Sequence, residues 1–269
     1  MSEAITTILD ETRIFNPPEG VQGRIASMQE YQNLRAQFKQ DFDSTWRDLA
    51  RQNLSWSKPF TRVLSSDHAP FFRWFEDGTL NLSENCLDRH IAAGLGERTA
   101  IIWESEAGEV RKYSYNTLLS EVCRAANAMK ELGIESGDRV VIYMPMIAEA
   151  AITMLACTRI GAVHSVVFGA FSPLALRDRI EDAGAKLVVT ADGGGRRGGT
   201  HALKPNVDEA LSQGCRTISH VLVVRHAGNE VAWTQGRDIN WHDALKAQSD
   251  QCEPLAVESE HPLFILYTS

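Results

Sequence analysis

The sequence predicts an α/β fold built on a parallel sheet flanked by helices, and three observations carry that reading. From Thr99 onward, short apolar runs alternate with helical stretches. The runs are continuously apolar, and each leads through a turn into a capped helix. A strand covered on both faces has no polar side, and neighbouring parallel strands need a crossover of a dozen or more residues, which a helix supplies.

In chain order, residues 100–103 and 110–113 are the arms of a predicted hairpin that turns at Ala107-Gly108. Ser114 is a good N-cap, and Leu118, Val122, Ala125, Ala126, Met129 and Leu132 recur on one face of a helix that Gly133 ends. A Gly137-Asp138 turn opens a buried strand over residues 139–144, which Pro145 stops. A helix over 147–159 returns the chain to a strand over 162–168. Ser172 followed by Pro173 starts the next helix, which runs to about Asp182 and is closed by Gly184. A strand over 186–190, a glycine-rich loop over 193–199, a helix over 205–211 and a strand over 220–224 follow. A polar hairpin region around Gly228 and Gly236, a short helix from Trp241 and a last strand over 263–267 complete the pattern.

The first ninety or so residues differ. Residues 27–53 show helical spacing of Met28, Tyr31, Leu34, Phe38, Phe42, Trp46 and Leu49. Trp56, Pro59, Phe60, Phe71, Phe72, Trp74 and Phe75 then crowd a turn-rich stretch. Aromatics this dense clamp a segment onto another surface, so residues 1–90 read as an N-terminal arm and 91–269 as the domain that it packs against.

Composition narrows the function. A formal net charge of −8, from 27 basic and 35 acidic side chains, disfavours nucleic acid and anionic membrane as partners and leaves a small charged metabolite. Residues 1–15 carry Glu3, Asp10 and Glu11 and no continuous apolar core, which argues against a secretory signal. The longest apolar stretch is broken by Pro145, Glu149 and Arg159, whereas a membrane span needs roughly 20 largely uncharged residues. Cys86, Cys123, Cys157, Cys215 and Cys252 show no disulfide framework and no metal-ligand spacing, so reduced thiols in a cytoplasmic protein are expected.

Two segments carry a binding signal, because each follows a parallel strand, where ligands of open α/β sheets bind. In Asp192-Gly193-Gly194-Gly195-Arg196-Arg197-Gly198-Gly199 the glycines allow close backbone approach, and two guanidinium forks suit phosphate. The alternative is a mobile surface loop. Phe168-Gly169-Ala170 leads into the Ser172 helix start, where free N–H groups can meet an anion, the alternative being a tight turn and nothing more. His164 inside an apolar strand reads as a satisfied core histidine and Cys157 as core. Asp88-Arg89-His90 reads as surface or mutual ion pairing, with no catalytic role.

Trp56-Ser57-Lys58-Pro59-Phe60, Trp74-Phe75-Glu76-Asp77-Gly78-Thr79-Leu80-Asn81-Leu82, Asn85-Cys86-Leu87-Asp88-Arg89-His90, Tyr143-Met144-Pro145-Met146, Arg159-Ile160-Gly161-Ala162-Val163-His164-Ser165-Val166-Val167-Phe168-Gly169 and Pro262-Leu263-Phe264-Ile265-Leu266-Tyr267-Thr268-Ser269 together resemble the AMP-forming acetyl-CoA synthetase family, over nearly the whole chain and in order. The resemblance implies the adenylate-forming fold, of which the chain would hold the N-terminal arm and the first part of the large N-terminal domain. It implies ligase chemistry with acetate, ATP and CoA as small-molecule substrates and Mg2+ as cofactor, the acetate being activated as acetyl-adenylate before the CoA thiol displaces AMP. It also implies that a phosphate loop follows Ser269, so that no catalytic, ATP-binding or metal-binding residue is assignable here and the chain alone is expected to be inactive. For CoA, the matching positions are Phe168, Gly169, Ala170, Arg196, Arg197, Gly198 and Gly199. Ala170 stands where the family usually has glycine, and Gly199 where it usually has a second basic residue. The alternatives are a propionyl-CoA or other short-chain acyl-CoA synthetase and, in a different class, a noncatalytic CoA- or nucleotide-binding fragment. The sequence does not give the oligomeric state.

Overall fold

The computed structural model describes residues 25–196 and 198–268. The reading of residues 1–15 lies outside them, as do Arg197, Ser269 and the Arg196 side chain. The chain divides into two compact units, with the boundary between Leu49 and Ala50.

The helical spacing of residues 27–53 resolves into two helices, α1 (Met28–Gln40) and α2 (Phe42–Asn53). Ser27 caps α1 by accepting the Glu30 N–H. The break falls at Asp41, whose backbone leaves the helical region (φ −146°, ψ 87°) and whose carboxylate accepts the Ser44 N–H at 2.9 Å. A short acid there terminates one helix and caps the next. Within the first unit, Trp46 meets Phe38 and Phe42 edge to face.

In the second unit, β1 (Leu64–Ser65) pairs with β2 (Arg73–Trp74), while β3 (Thr79–Leu80) precedes two short helices, α3 (Leu82–Cys86) and α4 (Asp88–His90). Trp56, Phe60 and Phe75 pack on one another with ring centroids 4.5–5.6 Å apart. Phe71 and Phe72, expected to clamp like their neighbours, are instead exposed. Asn81 performs the docking: fully buried, its amide donates to the carbonyls of Thr158, Arg159 and Leu255. The expected surface pairing at residues 88–90 is also corrected. Asp88 meets the buried Arg159 with two hydrogen bonds of 2.9 Å, and the guanidinium donates further to the Cys252 carbonyl and Ser83 Oγ.

The hairpin forms as β4 (Thr99–Glu104) and β5 (Val110–Ser114), and α5 (Tyr115–Glu131) starts at the Ser114 cap. Then come β6 (Arg139–Tyr143), α6 (Ala148–Arg159), β7 (Val163–Val166), α7 (Pro173–Ala183) and β8 (Leu187–Ala191). Gly184 closes α7 in the left-handed region at φ 57°, as its position after the last apolar turn predicts. Two short strands, β9 (Gly193–Arg196) and β10 (Gly199–Ala202), precede α8 (Lys204–Ser212), β11 (His220–Val224), β12 (Asp238–Asn240), α9 (Trp241–Lys246) and β13 (Val257–Glu258).

The main sheet is five-stranded, in the order β12-β11-β8-β6-β7, and every pairing in it is parallel. Its central strands β6, β8 and β11 are buried almost without exception, which is why they read as unbroken apolar runs. Helices α5, α6 and α9 pack together, as do α7 and α8. Each fully buried Val, Leu or Ile contributes roughly 1.5–3 kcal/mol, so this core is the principal source of stability.

Three expectations change. Residues 193–199 are not an open loop, because β9 and β10 pair antiparallel from Gly193↔Ala202 to Arg196↔Gly199. The region around Gly228 and Gly236 is not a hairpin: it is an irregular connection whose end, β12, joins the sheet parallel to β11. Lys204, fully buried, holds that strand through Asp238 at 2.8 Å and also meets Asp208 at 2.7 Å. Burial alone would raise the Asp238 carboxyl, but hydrogen bonds from Arg237 and Lys204 outweigh it and hold the group below the usual carboxylate range. The last segment, residues 263–267, runs extended with alternating exposure but makes one bridge, Phe264 to His164, rather than a ladder. His164 is core, yet unsatisfied: its Nδ1 is buried with no hydrogen-bond partner among the described residues.

Candidate functional site

β7 lies on one side of β6 and β8 on the other, so the chain reverses its direction of travel across the sheet between β6 and β8. In open parallel sheets the connections leaving such neighbours diverge at the carboxyl edge and leave a crevice, the usual ligand position. The cavity here is in that place. It has a volume of about 360 Å³ and is walled by the segments that follow three strands: Met144 and Pro145 after β6, Phe168 to Ala170 after β7, and Gly194 and Gly195 after β8.

Each wall is held by an identifiable contact. Tyr143 is fully buried, and its hydroxyl donates to the Gly169 and Phe171 carbonyls at 3.1 and 2.8 Å while accepting from Asn206 Nδ2 at 3.0 Å. Burial pushes this phenol above its ordinary value, with the Asn206 bond opposing, so it stays a neutral donor that fixes the turn after β7. Gly169 is packed under that turn, where a Cβ would come within 3.3 Å of Leu203. On the other wall Asp192, fully buried, accepts the N–H groups of Gly193, His226, Ala227 and Gly228 at 2.8–2.9 Å. One carboxylate therefore anchors both β9 and the loop after β11. The Asp192 carbonyl accepts the Leu203 N–H, tying the far end of β10 back to the same point. The glycines make the fit possible: a Cβ on Gly193 would lie 2.7 Å from the His201 carbonyl oxygen, and one on Gly194 would lie 2.7 Å from Pro145 Cβ. This is the physical reason that residues 193–202 form a hairpin pressed onto the sheet edge.

The structure thus brings together Phe168, Gly169 and Ala170 with the glycine segment, through Gly194 and Gly195. Gly198 and Gly199 are exposed and lie off the cavity wall, with Gly198 at φ 75° beyond the end of β9. Ala170 is exposed and lines the same wall. Sequence reasoning missed several wall residues: Trp103, Glu104, Glu106, Met146, His201 and His226. Trp103 donates its indole N–H to the Met146 carbonyl at 2.7 Å and meets His226 edge to face at 5.6 Å, which joins the β4–β5 hairpin to the crevice. No spacing along the chain places residue 103 beside 146 and 226. Met146 carried a usable signal: a large apolar side chain just past a strand-ending proline, 87% exposed.

Chemically the cavity is lined by apolar and aromatic side chains (Trp103, Met144, Met146, Phe168), by Gly194 and Gly195, and by four ionisable residues, Glu104, Glu106, His201 and His226. It suits binding. Among the described residues no group of three or more His, Cys, Asp or Glu side chains could hold a metal ion.

The acetyl-coenzyme A synthetase N-terminus family matches residues 31–86, and the AMP-binding enzyme family matches residues 88–269. The chain is 50% identical over 269 residues to an acetyl-coenzyme A synthetase of Thiobacillus denitrificans, covering 99% of this chain and 41% of that protein. It is 53% identical over 246 residues to the enzyme of that name from Campylobacter jejuni, covering 91% of this chain and 37% of the relative. Against the Pasteurella multocida protein, also named acetyl-coenzyme A synthetase, it is 50% identical over 265 residues, covering 98% of this chain and 40% of the relative. The chain spans about 40% of the length of these curated relatives. With the parallel sheet, its edge crevice and a family match running through both, the chain belongs to the AMP-binding enzyme family, with an N-terminal segment of the acetyl-coenzyme A synthetase type.

Proposed function

We propose that the chain is the N-terminal part of an AMP-forming acetyl-CoA synthetase and that its crevice receives the nucleotide end of CoA. The observation that carries this reading is the meeting of Phe168, Gly169 and Ala170 with Gly194 and Gly195 around one cavity at the β6/β8 reversal. In that role Phe168 and Met146 supply apolar contact for the adenine, and the turn held by Tyr143 keeps the Gly169 backbone at the wall. Arg196 and Arg197, with Gly198 and Gly199, are the proposed phosphate partners, on their position in the sequence. We place the change from N-terminal arm to AMP-binding domain near residue 90, which the family matches ending at 86 and starting at 88 support.

The complete reaction would join acetate and ATP into acetyl-adenylate and pyrophosphate, after which the CoA thiol displaces AMP. Mg2+ would neutralise phosphate charge in the first step. Among the described residues no group of three or more His, Cys, Asp or Glu side chains is placed to hold that ion. A cytoplasmic location and partners restricted to small molecules belong to the same proposal. In support, the net charge is −8, and no helix among the described residues is long and apolar enough to cross a membrane.

Calorimetric titration of CoA into the purified chain tests the reading. Arg196→Ala is expected to raise the dissociation constant on the order of 10–100-fold, the loss of one charge-assisted phosphate contact. In a chain extended to the length of its relatives, acetate-dependent ATP–pyrophosphate exchange should be unaffected by the same change. Unaltered CoA affinity would remove Arg196 from the site. Equal loss in both assays would return the segment to a structural role.

A further inference from the structure

Glu106 stands in the connection between β4 and β5, on the cavity wall beside Glu104 and Ser105. Its Oε2 accepts the backbone N–H of Gly198 at 3.2 Å, across 92 residues of sequence. Both partners are exposed, so water and ligands reach the bond, which ties Gly198, off the cavity wall, to a residue on it. A backbone N–H of a glycine turn at the carboxyl edge of a parallel sheet is the type of donor that a phosphate oxygen takes. Here a carboxylate holds it. Glu104 adds a second negative charge on the same wall, which raises the cost of bringing any further anion to this rim.

We infer that Glu106 sets the anion affinity of the crevice: its carboxylate competes with an incoming phosphate for the Gly198 N–H and must swing away before that phosphate binds. The inference rests on the reading of the crevice as a phosphate-bearing nucleotide site and identifies a residue that tunes it. Its function is that of an affinity filter, since a ligand with several phosphate oxygens can displace the carboxylate whereas a weakly charged one cannot. The displaced side chain still repels the ligand from nearby, and a unit-charge repulsion at contact distance in a water-like medium corresponds to about fivefold in affinity.

The test titrates pyrophosphate and CoA separately into the purified chain and its Glu106→Gln and Glu106→Ala variants, at low ionic strength and at about 0.5 M salt, where exposed charges are screened. Glu131→Gln serves as the control for net charge, since Glu131 ends α5 and does not line the crevice. Both Glu106 variants should bind pyrophosphate and CoA about 3–10-fold more tightly than wild type at low salt, a difference that shrinks at high salt, while the control stays at the wild-type value. Unchanged melting temperatures would show that the exposed substitutions leave the fold intact. Tightening of pyrophosphate with no CoA binding to any variant would overturn the CoA reading and leave the competition standing. Equal pyrophosphate affinity in wild type and both Glu106 variants, or no pyrophosphate binding to any of them, would overturn the competition whatever CoA does.

Discussion

Replacing Asp192 by alanine removes an acceptor shared by four backbone N–H groups, those of Gly193, His226, Ala227 and Gly228. A hydrogen bond to a charged group is worth about 1.5–3 kcal/mol, but the four share one carboxylate and are not additive. Gly193 is buried and loses its partner outright, whereas Gly228 is exposed and can recover water. Two to three effective losses give about 4 kcal/mol for Asp192→Ala. Asp192→Asn keeps an oxygen at the Oδ1 position, which serves three of the donors, and turns an amide NH2 toward the Gly228 N–H that Oδ2 accepts at 2.9 Å. That loss is smaller, about 1–2 kcal/mol. For a unit of this size each kcal/mol lowers Tm by about 2–4 °C, so alanine should lower it by roughly 10 °C and asparagine by roughly 4 °C. Urea unfolding of the purified variants, read by tryptophan fluorescence, measures the same order independently. CoA affinity should fall with the alanine variant, because β9 and the His226 loop lose their common anchor. An alanine variant within about 1 kcal/mol of wild type, or an asparagine variant less stable than alanine, would refute the assignment of Asp192 as the anchor.

The glycines of β9 should separate by position: Gly194→Ala brings a Cβ to 2.7 Å from Pro145 and should cost about 1–3 kcal/mol. Gly195→Ala meets nothing within 4 Å and should be neutral or stabilising by about 0.4–1 kcal/mol, as denaturant midpoints will show. Burial lowers the His164 imidazole from 6.5 to about 4. The unfolded chain then binds a proton that the folded chain refuses, so stability should fall as pH drops from 6.5 toward 4, by on the order of 3 kcal/mol, and His164→Leu should flatten that part of the pH profile. Native-state alkylation should label Cys86 alone, since the other four thiols are buried and Cys157 is pushed up to about 12 by burial; denaturation without reductant should expose all five to the reagent, as read by intact mass.

The local rules of the chain settled most of the elements. Ser114, Ser172 and Gly184 start or stop helices where their side-chain oxygen or their freedom at positive φ allows it, and these are properties of single residues that need no distant partner. The buried strands were legible because a strand covered on both faces has no polar side. Tertiary structure decided what depends on distant groups. The glycines of residues 193–199 carry no side-chain pattern that separates a loop from a strand, and they form a hairpin because Asn229 and Pro145 press on them from other parts of the chain while the adjacent Asp192 ties them to the loop after β11. Strand order was equally hidden. The crossovers dictate parallel pairing, but only packing places β8 beside β6 and opens the crevice between their connections. Trp103, His226 and Glu106 enter the site through that arrangement alone, whereas Phe168 to Ala170 and Gly194 to Gly195 were legible because each directly follows a strand, and the carboxyl ends of parallel strands all face the same edge.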